Sequence, residues 1–287
     1  MSDINVYEDT LETSGTIKFL YESVLGRCLL KILVQPIFSK AIGYLLNLRL
    51  SKVIIKSFIK KNRIDMSRYE DKSYTSFNDF FKRELCESFI PYTFDKKTLH
   101  APCDGKLSIH TINKEQTFFI KNVTYTLEKL LNSKKLAEEF QEGKILIFRL
   151  TPNDYHHYYF FDSGTIKSSK KIKGVLHTVR PVAFNYEKVF IRNSREVSVM
   201  DTTNFGKVIQ VEVGALLVGK ITNIPIQSFG FFDKKGCFEF GGSTIILLFK
   251  KNILSIEQEI INNSLREIET QVRLGSKLGV KRGTPYA

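Results

Sequence analysis

FEFGGSTIILLF, residues 238–249, sets a Gly-Gly-Ser-Thr turn between two apolar, strand-like runs. Glycine admits backbone conformations that other residues resist, so the turn can lay the Ser243 hydroxyl against the carbonyl before it. Taken alone, the segment reads equally well as a hairpin turn. The same texture extends outward from it. From Leu99 onward come KLSIHTI, TFFI, KILIFRL, HHYYFF, GVLHTV, VIQVEV and FGFF, divided by Gly, Asn, Asp and Pro. One helical insert, TLEKLLNSKKLAEEFQEG, interrupts them at 126–143, and residues 256–273 read as a helix. Residues 95–287 are therefore expected to form one β-rich domain of antiparallel sheets, barrel- or sandwich-like. Residues 15–63 differ: apolar side chains recur at spacings of three and four, and Pro36 should break the run. SFNDFFKRELC, residues 76–86, reads as a short helix capped by Ser76. The class is α+β, with an N-terminal helical region over 1–94.

The 287 residues can bury a sizeable core, and 43% of them are hydrophobic. A formal net charge of +13 favours anionic partners, either a lipid surface or a charged substrate. The basic residues are spread along the chain with no nucleic-acid signature, so no nucleic-acid partner is expected. Cys28, Cys86, Cys103 and Cys237 show no C-x-x-C pairing and no His at ligand spacing, so no metal is expected. The first residues lack a basic region followed by an apolar one, and no cleaved signal peptide is expected. The most apolar stretch, 24–50, is broken by Arg27, Lys31, Pro36, Lys40 and Arg49 and should not span a bilayer. Apolar faces flanked by Lys and Arg suit the membrane interface instead; the plainer reading is packing on the rest of the chain.

Three further segments hold chemistry-bearing side chains. RLTPNDYHHYYFFDSG, residues 149–164, gathers Asp154, His156 and His157. Histidine moves protons near neutral pH, and strand alternation sends the two histidines to opposite faces, leaving His157 facing outward. HAPCDGKL, residues 100–107, places Asp104 at a turn, where a carboxylate can orient a histidine. VEVGALLVGKI, residues 211–221, has two glycines in an apolar run but no phosphate-loop pattern.

In this order the segments SFNDFFKREL, APCDGKL, RLTPNDYHHY, RNSREV, VEVGALLVG and FEFGGSTIILLF resemble the pyruvoyl-dependent phosphatidylserine decarboxylases. The likeness extends to IETQVRLGSKLG and covers roughly residues 74–280. It implies a proenzyme that cuts itself between Gly242 and Ser243, giving a β chain of 1–242 and an α chain of 243–287. It implies that Ser243 becomes a covalent pyruvoyl group, the cofactor, whose ketone forms a Schiff base with the lipid amine and serves as electron sink. The implied product is phosphatidylethanolamine. By position, Asp104 is the carboxylate of a self-cleavage triad, Ser243 its nucleophile and His156 a catalytic residue. The implied partners are the phospholipid substrate, the membrane surface and the sister chain, with a dimer of such pairs possible in the family. The implied location is peripheral, on the cytoplasmic side of the cell membrane.

The chain departs from the family pattern at several points. Tyr159 stands where members carry the second histidine, commonly taken as the triad base. His157 stands in place of Arg. His177, in GVLHTV, is then a candidate substitute, while His100 and His110 are not expected in the site. Lys220 replaces a usual Ser and either meets the lipid headgroup or is solvated. Phe231 and Phe232 replace a usual Lys-Gly pair. Two other readings stay open: a pyruvoyl decarboxylase of another serine-headed lipid, and a non-catalytic membrane-binding relative.

Overall fold

The strand Ser243–Phe249 is the fifth of nine in a sheet ordered Asn5–Tyr7, Glu269–Val272, Gly105–Thr111, Lys144–Leu150, Ser243–Phe249, Gly206–Val213, Arg195–Thr202, Gly164–Ile172 and Ser228–Phe229. This computed structural model describes residues 5–7, 15–90, 95–120, 123–216, 220–240 and 243–283. Every side chain of the central strand is buried, which explains its nearly unbroken apolar run: both faces of the sheet are covered. Ile246 and Leu248 face one core; Ile245, Leu247 and Phe249 face another.

The first core is roofed by short helices, and its members include Leu127, Leu130, Phe140 and Phe190. Helices α1 (Gly15–Glu22) and α2 (Val24–Leu33), with the residue after α2, add Tyr21, Leu30 and Val34. The second core is covered by two three-stranded sheets and the helix Gln258–Leu265. One of these sheets joins Ile221–Asn223, Lys234–Phe238 and His157–Tyr159; the other joins Leu254–Ile256, Lys277–Lys281 and Thr98–His100. Strand pairing is antiparallel throughout these sheets, as expected of an α+β chain, but they are open. Of the two expected forms, barrel- or sandwich-like, the closed barrel does not form among the described residues, because the main sheet ends in the short strands Asn5–Tyr7 and Ser228–Phe229 without pairing them.

Pro36 breaks the N-terminal run where expected: α3 (Pro36–Asn47) starts on it and lies at 70° to α2. No single helix among the described residues is long and apolar enough to cross a membrane. Then come α4 (Ile55–Asn62) and α5 (Phe77–Phe81), the latter capped by Ser76, whose hydroxyl accepts from the Asp79 amide at 3.1 Å. A third core unites α5 with the β-rich part through Phe77, Phe80, Phe81, Leu85, Tyr155, Tyr159 and Leu274. The change of texture near residue 94 is thus a change of secondary structure across which cores are shared. Two expected helices are shorter than read. The insert at 126–143 forms Leu127–Leu131 and Lys134–Glu139, parted by Asn132 in the left-handed region. The segment 256–273 is helical only over Gln258–Leu265, and Glu269–Val272 joins the main sheet.

Candidate active site

Strand register brings the first two candidates together. Ser243 opens the central strand directly opposite Leu150, the last residue of Lys144–Leu150. The next residues, Thr151 to Asp154, turn the chain back and deliver His156 over Ser243. Asp154 holds this turn, accepting from the Thr151 amide at 2.6 Å and the Thr151 hydroxyl at 2.7 Å. Its other oxygen accepts from the Gln271 amide at 3.2 Å.

The His156 tautomer follows from its partners. Nε2 lies 3.0 Å from the Thr151 carbonyl oxygen, which can only accept, so Nε2 carries the proton. Nδ1 is left bare, 3.4 Å from Ser243 Oγ. Both residues are fully buried, and the Phe81 ring lies 4.4 Å from the imidazole. Burial first, then the nearby Arg83 guanidinium, pushes the imidazole down to about 3, so it is neutral at physiological pH. A neutral imidazole with a bare nitrogen beside a hydroxyl can take the hydroxyl proton.

Asp104 is not in that pair. Its carboxylate accepts from Arg68 at 3.0 Å and from the Leu274 amide at 2.8 Å. No hydrogen bond joins it to His156 among the described residues. Asp104 thus meets the pair only through its charge on Asp154. Asp104 neighbours Asp154, whose proton affinity is raised by burial and then by Asp104, and Asp154 fixes the turn whose carbonyl orients His156.

His177 lies elsewhere. It packs with Tyr21, whose hydroxyl is 3.1 Å from His177 Nδ1, and its Nε2 is 3.7 Å from Glu187. Tyr21 belongs to the helix-roofed core, whereas Ser243 shares the opposite face of the sheet with Ile245. The structure thus does not bring this expected substitute base to Ser243.

Tyr159 does not replace the missing histidine as an acceptor. Its hydroxyl is 3.2 Å from that of Tyr155, which donates to Glu84 at 2.9 Å. With the Tyr155 proton spent on Glu84, Tyr159 is the donor to Tyr155. Burial raises both phenols above their usual value, so both stay protonated. Phe232 packs on Tyr159 at 6.3 Å and holds φ 58, where the glycine of the usual Lys-Gly pair would sit without strain.

His157 was expected to face outward, and it is buried. It stacks on Tyr155 at 4.8 Å and donates to the Lys82 carbonyl at 3.1 Å, because its strand lies against the helical region. His100 meets the Gly275 carbonyl at 2.9 Å and His110 meets Ser108 at 3.2 Å, both away from Ser243. Lys220 pairs with Glu239 at 2.6 Å. Gly242 lies outside the described residues. Among the described residues no cluster of His, Cys, Asp and Glu has the form of a metal site.

Sequence reasoning missed Arg83 and Thr151. Arg83 is fully buried under the site and donates to the Asp154 carbonyl at 3.0 Å, with its guanidinium over Tyr69 at 4.4 Å. A signal for Thr151 was present: Thr-Pro-Asn-Asp is a turn whose last carboxylate can bind its first residue.

A family model described as "Phosphatidylserine decarboxylase" matches residues 77–280. Over 275 residues the chain is 46% identical to "Phosphatidylserine decarboxylase proenzyme 2" of Clostridium acetobutylicum, covering 96% of this chain and 94% of that protein. It is 42% identical over 267 residues to "Phosphatidylserine decarboxylase proenzyme" of Ruminiclostridium cellulolyticum, covering 91% and 89%. The protein of that name from Clostridium perfringens is 40% identical over 272 residues, covering 92% of each chain. On this match and these relatives, the chain belongs to the phosphatidylserine decarboxylase family.

Proposed function

We propose that the chain cuts itself between Gly242 and Ser243 and then decarboxylates phosphatidylserine to phosphatidylethanolamine. The observation that carries this reading is the bare Nδ1 of His156, 3.4 Å from the buried Ser243 Oγ. His156 takes the hydroxyl proton, and Oγ attacks the carbonyl carbon of residue 242. The peptide C–N bond gives way to an ester. Elimination across Cα and Cβ of Ser243 then releases 1–242 as a carboxylate. Addition of water to the remaining enamine and loss of ammonia leave a ketone at the new N-terminus.

The residues present fit such a pyruvoyl group: its precursor is buried, with one neutral base against it and no other described carboxylate or lysine hydrogen-bonded to its hydroxyl. That group supplies a carbonyl that takes up the electron pair freed as carbon dioxide leaves. His156 remains beside the reacting position and returns a proton to the substrate carbon that lost its carboxylate. Asp104, through Asp154 and Thr151, keeps the imidazole in one tautomer and one orientation.

The N-terminal helices are proposed to seat the enzyme on the cytoplasmic face of the membrane, without crossing it. Support comes from the outward apolar side chains Leu25, Ile37, Leu50 and Val53, which are 66%, 72%, 81% and 80% exposed. Ten basic side chains against one acidic, Glu22, lie between residues 15 and 63. Such a face gains from burial in lipid and from anionic headgroups together.

Intact mass and a denaturing gel test the reading. Two fragments ending at 242 and beginning at 243 are expected, the smaller with a blocked N-terminus, together with carbon dioxide release from phosphatidylserine vesicles. A single 33.1 kDa chain would overturn it.

A further inference from the structure

A cavity of about 290 Å³ lies between α3, α5 and the segment leading to the cut, lined in part by Ser39, Lys40, Asn78, Lys220, Glu239 and Phe240. Two of its walls carry an anomaly. Ser39 Oγ and Asn78 Oδ1 are buried without a hydrogen-bond partner among the described residues. Their residues are only 3% and 1% exposed. A buried polar atom left unpaired is destabilising and rare, so two on one cavity point to a polar occupant.

The side chains define that occupant. Both amide hydrogens of Asn78 are engaged, with the Gly43 carbonyl at 3.0 Å and Asn47 Oδ1 at 3.2 Å. The free Asn78 oxygen can therefore only accept, and Glu239, which gives Oε1 to Lys220, offers Oε2 as a second, anionic acceptor. Together they call for an N–H-bearing cation. Ser39 Oγ can donate, and Lys40 has no carboxylate partner among the described residues, so these two call for an anion. Lys220 is held by Glu239 at 2.6 Å. Phe240 lies 5.2 Å from Phe81, which lies 4.4 Å from His156, so the cavity is two aromatic rings from the reacting pair.

Resting on the decarboxylase reading, we propose that this cavity is a headgroup-docking subsite for aminophospholipids. Asn78 and Glu239 read the primary ammonium, while Ser39 and Lys40 read the phosphate. The headgroup waits there before passing Phe240 and Phe81 to Ser243. The subsite takes ethanolamine as well as serine headgroups, since both carry the ammonium and the phosphate. It rejects choline, whose quaternary nitrogen has no N–H to give.

The test uses the full chain and tail-free probes, with affinity read by calorimetry. Glycerophosphoserine and glycerophosphoethanolamine should bind. Glycerophosphocholine and inorganic phosphate should bind about tenfold or more weakly, the worth of one good hydrogen bond. Ser39→Ala should weaken the first two about tenfold while the melting temperature without ligand holds or rises, because the hydroxyl it removes has no partner. A purely structural Ser39 would lower the melting temperature instead. Lys40→Ala should weaken binding similarly, and in vesicle assays both variants should raise KM more than they lower kcat. Equal affinity for the choline probe or for phosphate alone, or unchanged affinity in Ser39→Ala, would overturn the subsite. If carbon dioxide is released but these contrasts are missing, the subsite fails and the activity stands. If the contrasts appear without carbon dioxide release, the subsite stands and the decarboxylase reading fails.

Discussion

His156 owes its chemistry to a backbone carbonyl. Because Thr151 fixes the proton on Nε2, the nitrogen facing Ser243 is always the acceptor. Replacing His156 with Ala should slow self-cleavage by 10²-fold or more, the usual worth of a positioned base, followed as disappearance of the intact chain on a gel. The rate should also show no titration near 6.5. The imidazole, pushed down to about 3, stays neutral from pH 7 to pH 5, so a cleavage rate falling with a midpoint near 6.5 would contradict the assignment. Asp104 acts one layer out, so its loss should register as stability. In a Ser243→Ala background, Asp104→Asn strands buried Arg68 and should cost about 3 kcal/mol in urea unfolding. The sequence marked Ser243 and His156 as candidates, and the register of Ser243–Phe249 against Lys144–Leu150 is what sets them 3.4 Å apart. The sequence could not place Asp104, whose partner Arg68 lies 36 positions away in a helical turn, nor His177, whose partner Tyr21 lies 156 positions away. Such pairings are decided by tertiary packing, and no local pattern encodes them.

At the level of elements, the α2–α3 surface carries the next prediction. Leu25→Glu with Ile37→Glu should lower partition onto anionic vesicles by tenfold or more in a sedimentation assay. Each apolar side chain is worth about 1.5–3 kcal/mol when removed from water. Neither residue reaches Ser243, so self-cleavage should proceed as before. Unchanged vesicle binding would assign these helices to some other surface. The helices themselves were legible because Pro36 and the three-four spacing leave little choice. The Gln258–Leu265 helix was overread, since IETQV has apolar spacing that suits a strand as well as a helix, and the free edge of Gly105–Thr111 recruits it. The sequence left barrel-like and sandwich-like forms both open for a related reason. Alternation reports that strands are buried on two faces, but says nothing of whether the two ends of a sheet meet.

Across the whole molecule, buried histidines tie stability to pH. Burial pushes His110 and His157 down to about 4 and His156 to about 3, against 6.5 when unfolded. A depressed histidine stabilises fully above pH 6.5 and loses that stabilisation as pH falls toward its folded value. Each contributes a slope of up to about 1.4 kcal/mol per pH unit in that window. Asp154 and Glu212, raised by burial, pull the other way, so a comparison isolates the effect. His110→Asn, remote from the site, should flatten the stability profile between pH 6.5 and pH 4 by about one histidine's slope. An unchanged profile would mean that His110 is not held neutral.

The place of Ser243–Phe249 in the middle of the main sheet has a consequence for the life of the molecule. Before the cut, folding is a unimolecular search in which the central strand arrives tethered to its neighbours. After the proposed cut, the same strand would belong to a 45-residue fragment held by Lys144–Leu150 and Gly206–Val213 on both sides of it, and by Gly105–Thr111 and Thr98–His100 against its later strands. Once unfolded, the two pieces must find each other by diffusion, and the smaller exposes TIILLF, an uncharged run suited to self-association. On the proposed cut, assembly would be one-way: the cleaved protein would persist by the height of its unfolding barrier, and its recovery after denaturation should fall with dilution, whereas a Ser243→Ala chain should recover independently of concentration.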